Sequence, residues 1–120
     1  MANFRTIFEA YGGEYDQTMM RFADNEDLYL RLLGMLMQDP NMATLDTALK
    51  GGDLETAFAA AHTLKGVAAN MGLTPLLTAV GAIVEPLRAR QADAEYPALY
   101  CDIAREFERV KVLQAQLSQC

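Results

Sequence analysis

The stretch Asp53-Leu54-Glu55-Thr56-Ala57-Phe58-Ala59-Ala60-Ala61-His62-Thr63-Leu64-Lys65-Gly66-Val67-Ala68-Ala69-Asn70-Met71-Gly72 decides the fold. Leu54, Ala57, Ala61, Leu64, Ala68 and Met71 recur in it at spacings of 3, 4, 3, 4 and 3. At about 100° per residue these positions share a narrow arc, so the segment reads as a helix with one buried stripe. Asp53 suits its start, because a carboxylate there accepts from the unpaired amides of the first turn. Gly72 suits its end, because glycine readily takes the left-handed conformation that closes a helix.

Helical patterning continues on both sides. Upstream, Gly51-Gly52 end a helix of about Met42 to Lys50 that buries Leu45, Ala48 and Leu49. Before it, Asp24 or Asn25 caps a helix with Glu26 and Asp27 in its first turn, where carboxylates suit the positive end of the helix dipole. Leu28, Leu32, Met35 and Leu36 form its expected stripe, and Pro40 marks its end. Two shorter segments come first, about Asn3 to Tyr11, closed by Gly12-Gly13, and about Tyr15 to Phe22. Downstream, Thr74-Pro75 reads as an N-cap followed by proline at the first helical position. That helix carries the stripe Leu76, Val80, Ile83 and Leu87, and Pro86 should kink it late. A last helix, about Pro97 to Ser118, buries Leu99, Ile103, Phe107, Val110 and Leu117.

No segment alternates β-branched or aromatic residues with polar ones, so strands are not expected. Amphipathic helices joined by short turns imply an all-α fold, a four-helix bundle with short additional N-terminal helices. One domain is expected over residues 1–120, with about 1–22 as an N-terminal helical segment and 23–119 as the bundle. Linkers, internal repeats and low-complexity segments are not visible.

Composition narrows the function. Of the 120 residues, 52% are hydrophobic, within the globular range. The net charge is −6 and Lys and Arg are not clustered, which argues against nucleic acid as a partner. No apolar run approaches the roughly 18 residues of a membrane span. The N-terminus lacks the basic-then-apolar layout of a secretory signal. Cys101 and Cys120 read as free thiols of a reducing cytoplasm, and a cytoplasmic location is expected. The leading Met1 points to a free-standing product. The seven methionines read as core filler.

The chemistry centres on His62, the sole histidine. It falls about 130° from the centre of the buried stripe, so its imidazole should face outward. On that geometry alone, an ordinary surface histidine is the commoner reading. Two neighbours shift the balance. Lys65 and Gly66 lie three and four residues on and flank His62 on one helical surface. A glycine in mid-helix costs about 1 kcal/mol relative to alanine. Gly66 lies roughly opposite the stripe, where tight bundle packing does not explain it. It is either a neutral accident or local bend, or a place where something must approach the backbone.

A histidine, a lysine and bare backbone suit phosphoryl transfer. Neutral imidazole is a good nitrogen nucleophile near neutral pH, since its unperturbed pKa is about 6.5. A nearby ammonium stabilises the charge spread over the transferring oxygens. Other chemistries lack their parts. One histidine without a Cys/His cluster gives a transition metal little to bind. Ser118 is the only serine and stands near the chain end, so a serine triad has no plausible nucleophile. Neither Gly-Gly pair belongs to a phosphate-binding loop, so no means of binding ATP is visible.

Ala60-Ala61-His62-Thr63-Leu64-Lys65-Gly66-Val67-Ala68-Ala69-Asn70-Met71-Gly72 closely resembles the signature of histidine-containing phosphotransfer (HPt) domains, a-H-x-L-K-G-x-a-x-x-x-G. Leu45 to Asp53 resembles the family's usual approach to that helix, and Val84-Glu85-Pro86-Leu87-Arg88 its L-E-x-x-L-R. The resemblance covers about residues 22 to 90. It implies a four-helix bundle with an exposed phosphorylated histidine. Residue by residue, it implies that His62 is the phosphorylation site, Lys65 the charge stabiliser, Gly66 the access point for a receiver and Gly72 a structural glycine. Some members carry a glutamine on the following helix, and this chain has none around Val84-Glu85. Pro86 is unusual there and is expected to alter the groove beside His62.

The implied role is a phosphocarrier of a two-component phosphorelay, shuttling a phosphoryl group between His62 and aspartates of response-regulator receiver domains. A hybrid sensor histidine kinase is the other implied partner. The chain would need no cofactor of its own, with Mg²⁺ on the receiver, and would act as a monomer and a carrier more than an enzyme. The alternative is a helical interaction module that docks on a receiver or kinase without relaying phosphate.

Overall fold

The computed structural model describes residues 3–119, so what was expected of Met1 and Cys120 lies outside the described residues. Seven helices occupy them: α1 Phe4–Tyr11, α2 Tyr15–Arg21, α3 Glu26–Met37, α4 Asn41–Lys50, α5 Leu54–Asn70, α6 Thr74–Arg88 and α7 Tyr96–Leu117. No strand occurs among the described residues.

Local chemistry sets most boundaries. Asn3 caps α1 by accepting from the Thr6 amide at 2.8 Å. Asn25, not Asp24, caps α3, accepting from the Leu28 amide at 3.0 Å. Asp24 instead takes a left-handed backbone, φ +58°, in the turn that closes α2. Asp53 caps α5, accepting from the Thr56 amide at 3.1 Å and its hydroxyl at 2.7 Å. These bonds from Thr56, side chain first and then backbone, hold the Asp53 carboxyl below its ordinary pKa.

The expected cap of α6 is corrected. Thr74 is already helical and Leu73 stands at the N-cap, so Pro75 is the second helical residue. The turn from α5 is tight, with the Leu73 amide donating to the Ala68 carbonyl at 2.9 Å. Leu73 is fully buried in that turn, and the helix restarts directly after it. Pro86 lies in the last turn of α6, and the helix runs on to Arg88 without a break.

The bundle is laid out along α5 and α7. The α5 helix packs between α4 and α6, and α6 packs on α7. Both α3 and α4 lie against α7, and they use successive lengths of it. Gly34 of α3 sits beside Gln114, where a Cβ would come within 3.3 Å of Nε2. The Tyr100 hydroxyl donates to the Met42 carbonyl of α4 at 3.3 Å. Together α3 and α4 therefore fill one position of the four-helix bundle, broken at Gln38-Asp39-Pro40 and antiparallel to α7. The α1 helix covers the far half of α7, with Arg109 donating to the Tyr11 carbonyl at 3.1 Å.

Burial corrects the expected face of α3. Tyr29, Leu33 and Leu36 are buried, Leu28 and Leu32 are only half-buried, and Met35 is 63% exposed. The helix is turned by about one residue, or 100°, from the expected stripe. The cause is an aromatic cluster: Tyr29 meets Phe8 and Phe22 edge-on, with centroids 5.6 and 5.1 Å apart. Met20 is also exposed, so core filler does not describe every methionine. Leu49, Leu54 and Leu99 are half-buried, while Ala60, Val84 and Leu113 join the core.

Candidate functional site

The α5 helix buries Ala57, Ala60, Ala61, Leu64 and Ala68. Four of these five are alanine, which lets α4 and α6 approach closely on either side. The opposite face carries Ala59, His62, Thr63, Gly66 and Asn70, all exposed. His62 thus faces outward, as the wheel predicts.

Its imidazole is not free-standing. It stacks on Phe58, one turn back, with ring centroids 5.5 Å apart and planes 20° from parallel. Helical side chains lean toward the N-terminus, so residue 62 naturally covers the turn at residue 58. Phe58 in turn carries two guanidinium groups from the end of α6. Arg90 lies 4.8 Å and Arg88 5.3 Å from its centroid, within cation–π range. Arg90 is itself held, with φ +53° and Nη1 donating to the Leu87 carbonyl at 2.7 Å.

The other side of His62 is open. Gly66 is exposed, and a Cβ built on it would meet no described atom within 4 Å beyond the backbone of its own helix turns. A side chain at residue 66 would lean back over the turn at residue 62, so the glycine leaves that flank bare. Lys65 is half-buried and has no ion-pair or hydrogen-bond partner among the described residues. Beyond Gly66 lies a shallow depression where Leu32, Met35, Leu36 and Asp39 face Val67, Asn70 and Met71. Met35, expected in the core, instead stands at the rim of this surface.

The C-terminal end of α5 is anchored. Arg21 donates to the carbonyls of Asn70 at 3.0 Å and Ala69 at 3.1 Å. The buried Tyr29 hydroxyl donates to the Met71 carbonyl at 2.7 Å, and burial pushes that hydroxyl far above its ordinary pKa. Gly72 adopts φ +67° against the buried side chain of Thr18. A site on a helix fixed at both ends keeps its geometry better than one on a loop.

The sequence-predicted residues His62, Lys65 and Gly66 thus come together on one outward surface. Phe58 and Arg90 were missed, and Arg88 was noticed only as part of a motif. An aromatic four residues before the sole histidine was the available signal for Phe58. The arginines had none without knowing that α6 returns alongside α5.

Among the described residues, no group of three His, Cys, Asp or Glu side chains could hold a metal ion. No helix among them is long and apolar enough to cross a membrane. Cys101 is exposed and unpaired. No curated protein and no solved structure gives a significant match to the chain. The family model of the Hpt domain matches residues 31–119, from mid-α3 past the end of α7. With that match over most of its length, the chain belongs to the Hpt domain family and has a phosphotransfer role in two-component signalling.

Proposed function

We propose that His62 is the phosphoacceptor of a phosphorelay, taking a phosphoryl group from the aspartate of one receiver domain and giving it to another. The observation that carries this reading is the exposed imidazole with bare Gly66 and a Lys65 unpaired among the described residues on one flank. The unprotonated imidazole nitrogen forms the P–N bond. The P–O bond to the receiver aspartate breaks, and its electron pair stays on the leaving carboxylate. The imidazole proton remains on the other ring nitrogen. The reverse step hands the group on.

Lys65 stabilises phosphoryl charge while it redistributes, and its lack of a competing carboxylate among the described residues leaves it available. Gly66 admits the receiver, which brings the aspartate and the Mg²⁺. The chain binds no nucleotide in this scheme and acts as a carrier.

The test is incubation with phosphorylated receiver domains, scoring acid-labile phosphate on this chain. Wild type becomes labelled and His62→Gln does not, with melting within about 0.5 kcal/mol of wild type, as for most surface changes. ATP and Mg²⁺ alone leave both unlabelled. Undiminished labelling of His62→Gln overturns the assignment, and a failure of wild type to label with any receiver favours a docking module.

A further inference from the structure

We infer that Phe58 is a positioning residue for His62, itself held by the arginines at the end of α6. The inference rests on His62 being the phosphoacceptor. Three side chains meet on the Phe58 ring: the imidazole at 5.5 Å, Arg90 at 4.8 Å and Arg88 at 5.3 Å. An exposed histidine ordinarily rotates about two side-chain bonds and samples several staggered wells. The near-parallel stack removes part of that freedom. In-line transfer between two proteins depends on the nucleophile holding its direction when the receiver docks, because reacting atoms must meet at close range and in line.

The arrangement is directional. Phe58 backs the imidazole on the N-terminal side, and the bare backbone at Gly66 leaves the C-terminal side open. The ring therefore has a support where no partner is needed and a clearance where one must come. The support has depth: Phe58 is half-buried against the core, and Arg90 is fixed by its bonds to the carbonyls of Leu87 at 2.7 Å and Arg88 at 3.4 Å. The α6 helix, although it offers no glutamine near His62, thus reaches the histidine through the Phe58 ring.

Mere packing is the competing role for Phe58, and leucine would serve it almost as well. The test therefore uses Phe58→Leu, which keeps a large apolar side chain, and Phe58→Tyr, which keeps the ring. Phosphotransfer is measured with two donors, a phosphorylated receiver and the small molecule phosphoramidate. In parallel, proton NMR of His62 reads the ring-current displacement that a stacked Phe58 imposes.

With the receiver, Phe58→Leu lowers the single-turnover rate at saturating receiver about tenfold with little change in half-saturating concentration. Phosphoramidate, which needs no fixed direction of approach, labels it within about twofold of wild type. The ring-current displacement disappears in Phe58→Leu and returns, with the rate, in Phe58→Tyr. Arg90→Ala shrinks both effects in the same direction. An equal loss with both donors overturns the inference, since Phe58 would then act on reactivity or on folding. Wild-type rates in Phe58→Leu also overturn it, as does the lack of any ring-current displacement in wild type. Failure of His62→Gln to lose labelling would instead sink the underlying assignment, while the NMR still reports on the stack.

Discussion

Two glycines six residues apart on one stretch of chain, Gly66 and Gly72, solve opposite problems. Gly66 sits in the right-handed interior of α5, exposed, with open space where a Cβ would be. Gly72 sits just past the helix end, buried, with φ +67° and the Thr18 side chain where a Cβ would be. At Gly72 the glycine is required by the folded backbone and by a neighbour. At Gly66 nothing in the folded chain requires it, and alanine would be the better helix former. The residue type is the same, and the surroundings tie one to the scaffold and give the other no reason among the described residues.

The largest expected effect tests the scaffold side. Gly72→Ala forces a Cβ into a left-handed conformation, costing roughly 1–2 kcal/mol. It also drives that atom to within 3.0 Å of the Thr18 Cβ and onto its hydroxyl. Overpacking of this kind costs about 1–3 kcal/mol, so a total loss of about 2–5 kcal/mol is expected in a urea melt. Thr18→Ala in the same chain removes the hydroxyl and Cγ2 but keeps the Cβ, so it should recover most of the packing part and leave the backbone part. Transfer activity per folded molecule should stay at the wild-type level. A Gly72→Ala protein that melts like wild type would erase the distinction between the two glycines.

A smaller effect is expected at Lys65, on the other side of the comparison. Lys65→Ala should slow receiver-dependent labelling by about tenfold, roughly 1.4 kcal/mol in the barrier, while docking weakens less. Stability should move by no more than about 0.5 kcal/mol, because the side chain has no ionic partner among the described residues to lose. Lys65→Arg should rescue in part, since a planar fork replaces a compact charge. Single-turnover rates and a melt on each variant decide it. A large loss of stability with unchanged transfer would move Lys65 into the scaffold beside Gly72.

What was legible in the sequence follows the same division. The α5 stripe, the Asp53 cap and the outward face of His62 depend on spacings within a single helix, and they read directly. The pattern on α3 was ambiguous, because Leu28, Leu32 and Met35 compete with Tyr29 and Leu33 for the core. The choice is made by Phe8 and Phe22, whose rings meet Tyr29 from outside α3, so no periodicity within the helix could make it. The same holds for Thr18 against Gly72 and for Arg90 over Phe58, each a contact between separate elements. Gly72 was legible as a helix stop, but its neighbour was not. Gly66 was legible because it breaks a local rule without a local reason.

The smallest effect is the most discriminating. Gly66→Ala should stabilise the domain by up to about 1 kcal/mol, since alanine loses less backbone entropy on entering a helix. Beyond the backbone of its own helix turns, no described atom lies within 4 Å of the new methyl. Yet the same methyl leans back over the turn that carries His62, on the flank opposite Phe58, where the proposed function brings the receiver. Transfer from a phosphorylated receiver should therefore slow while stability rises, and Gly66→Gln should slow it further with the fold intact. Opposite movement of the two quantities is expected where function holds a residue away from its stability optimum. Phosphoramidate labelling, which needs no docking, should barely change in either variant. If Gly66→Ala destabilises the domain, the open space beside it is not open in solution, and Gly66 belongs with Gly72. If it stabilises the domain and accepts phosphate from the receiver at the wild-type rate, the receiver approaches His62 from elsewhere.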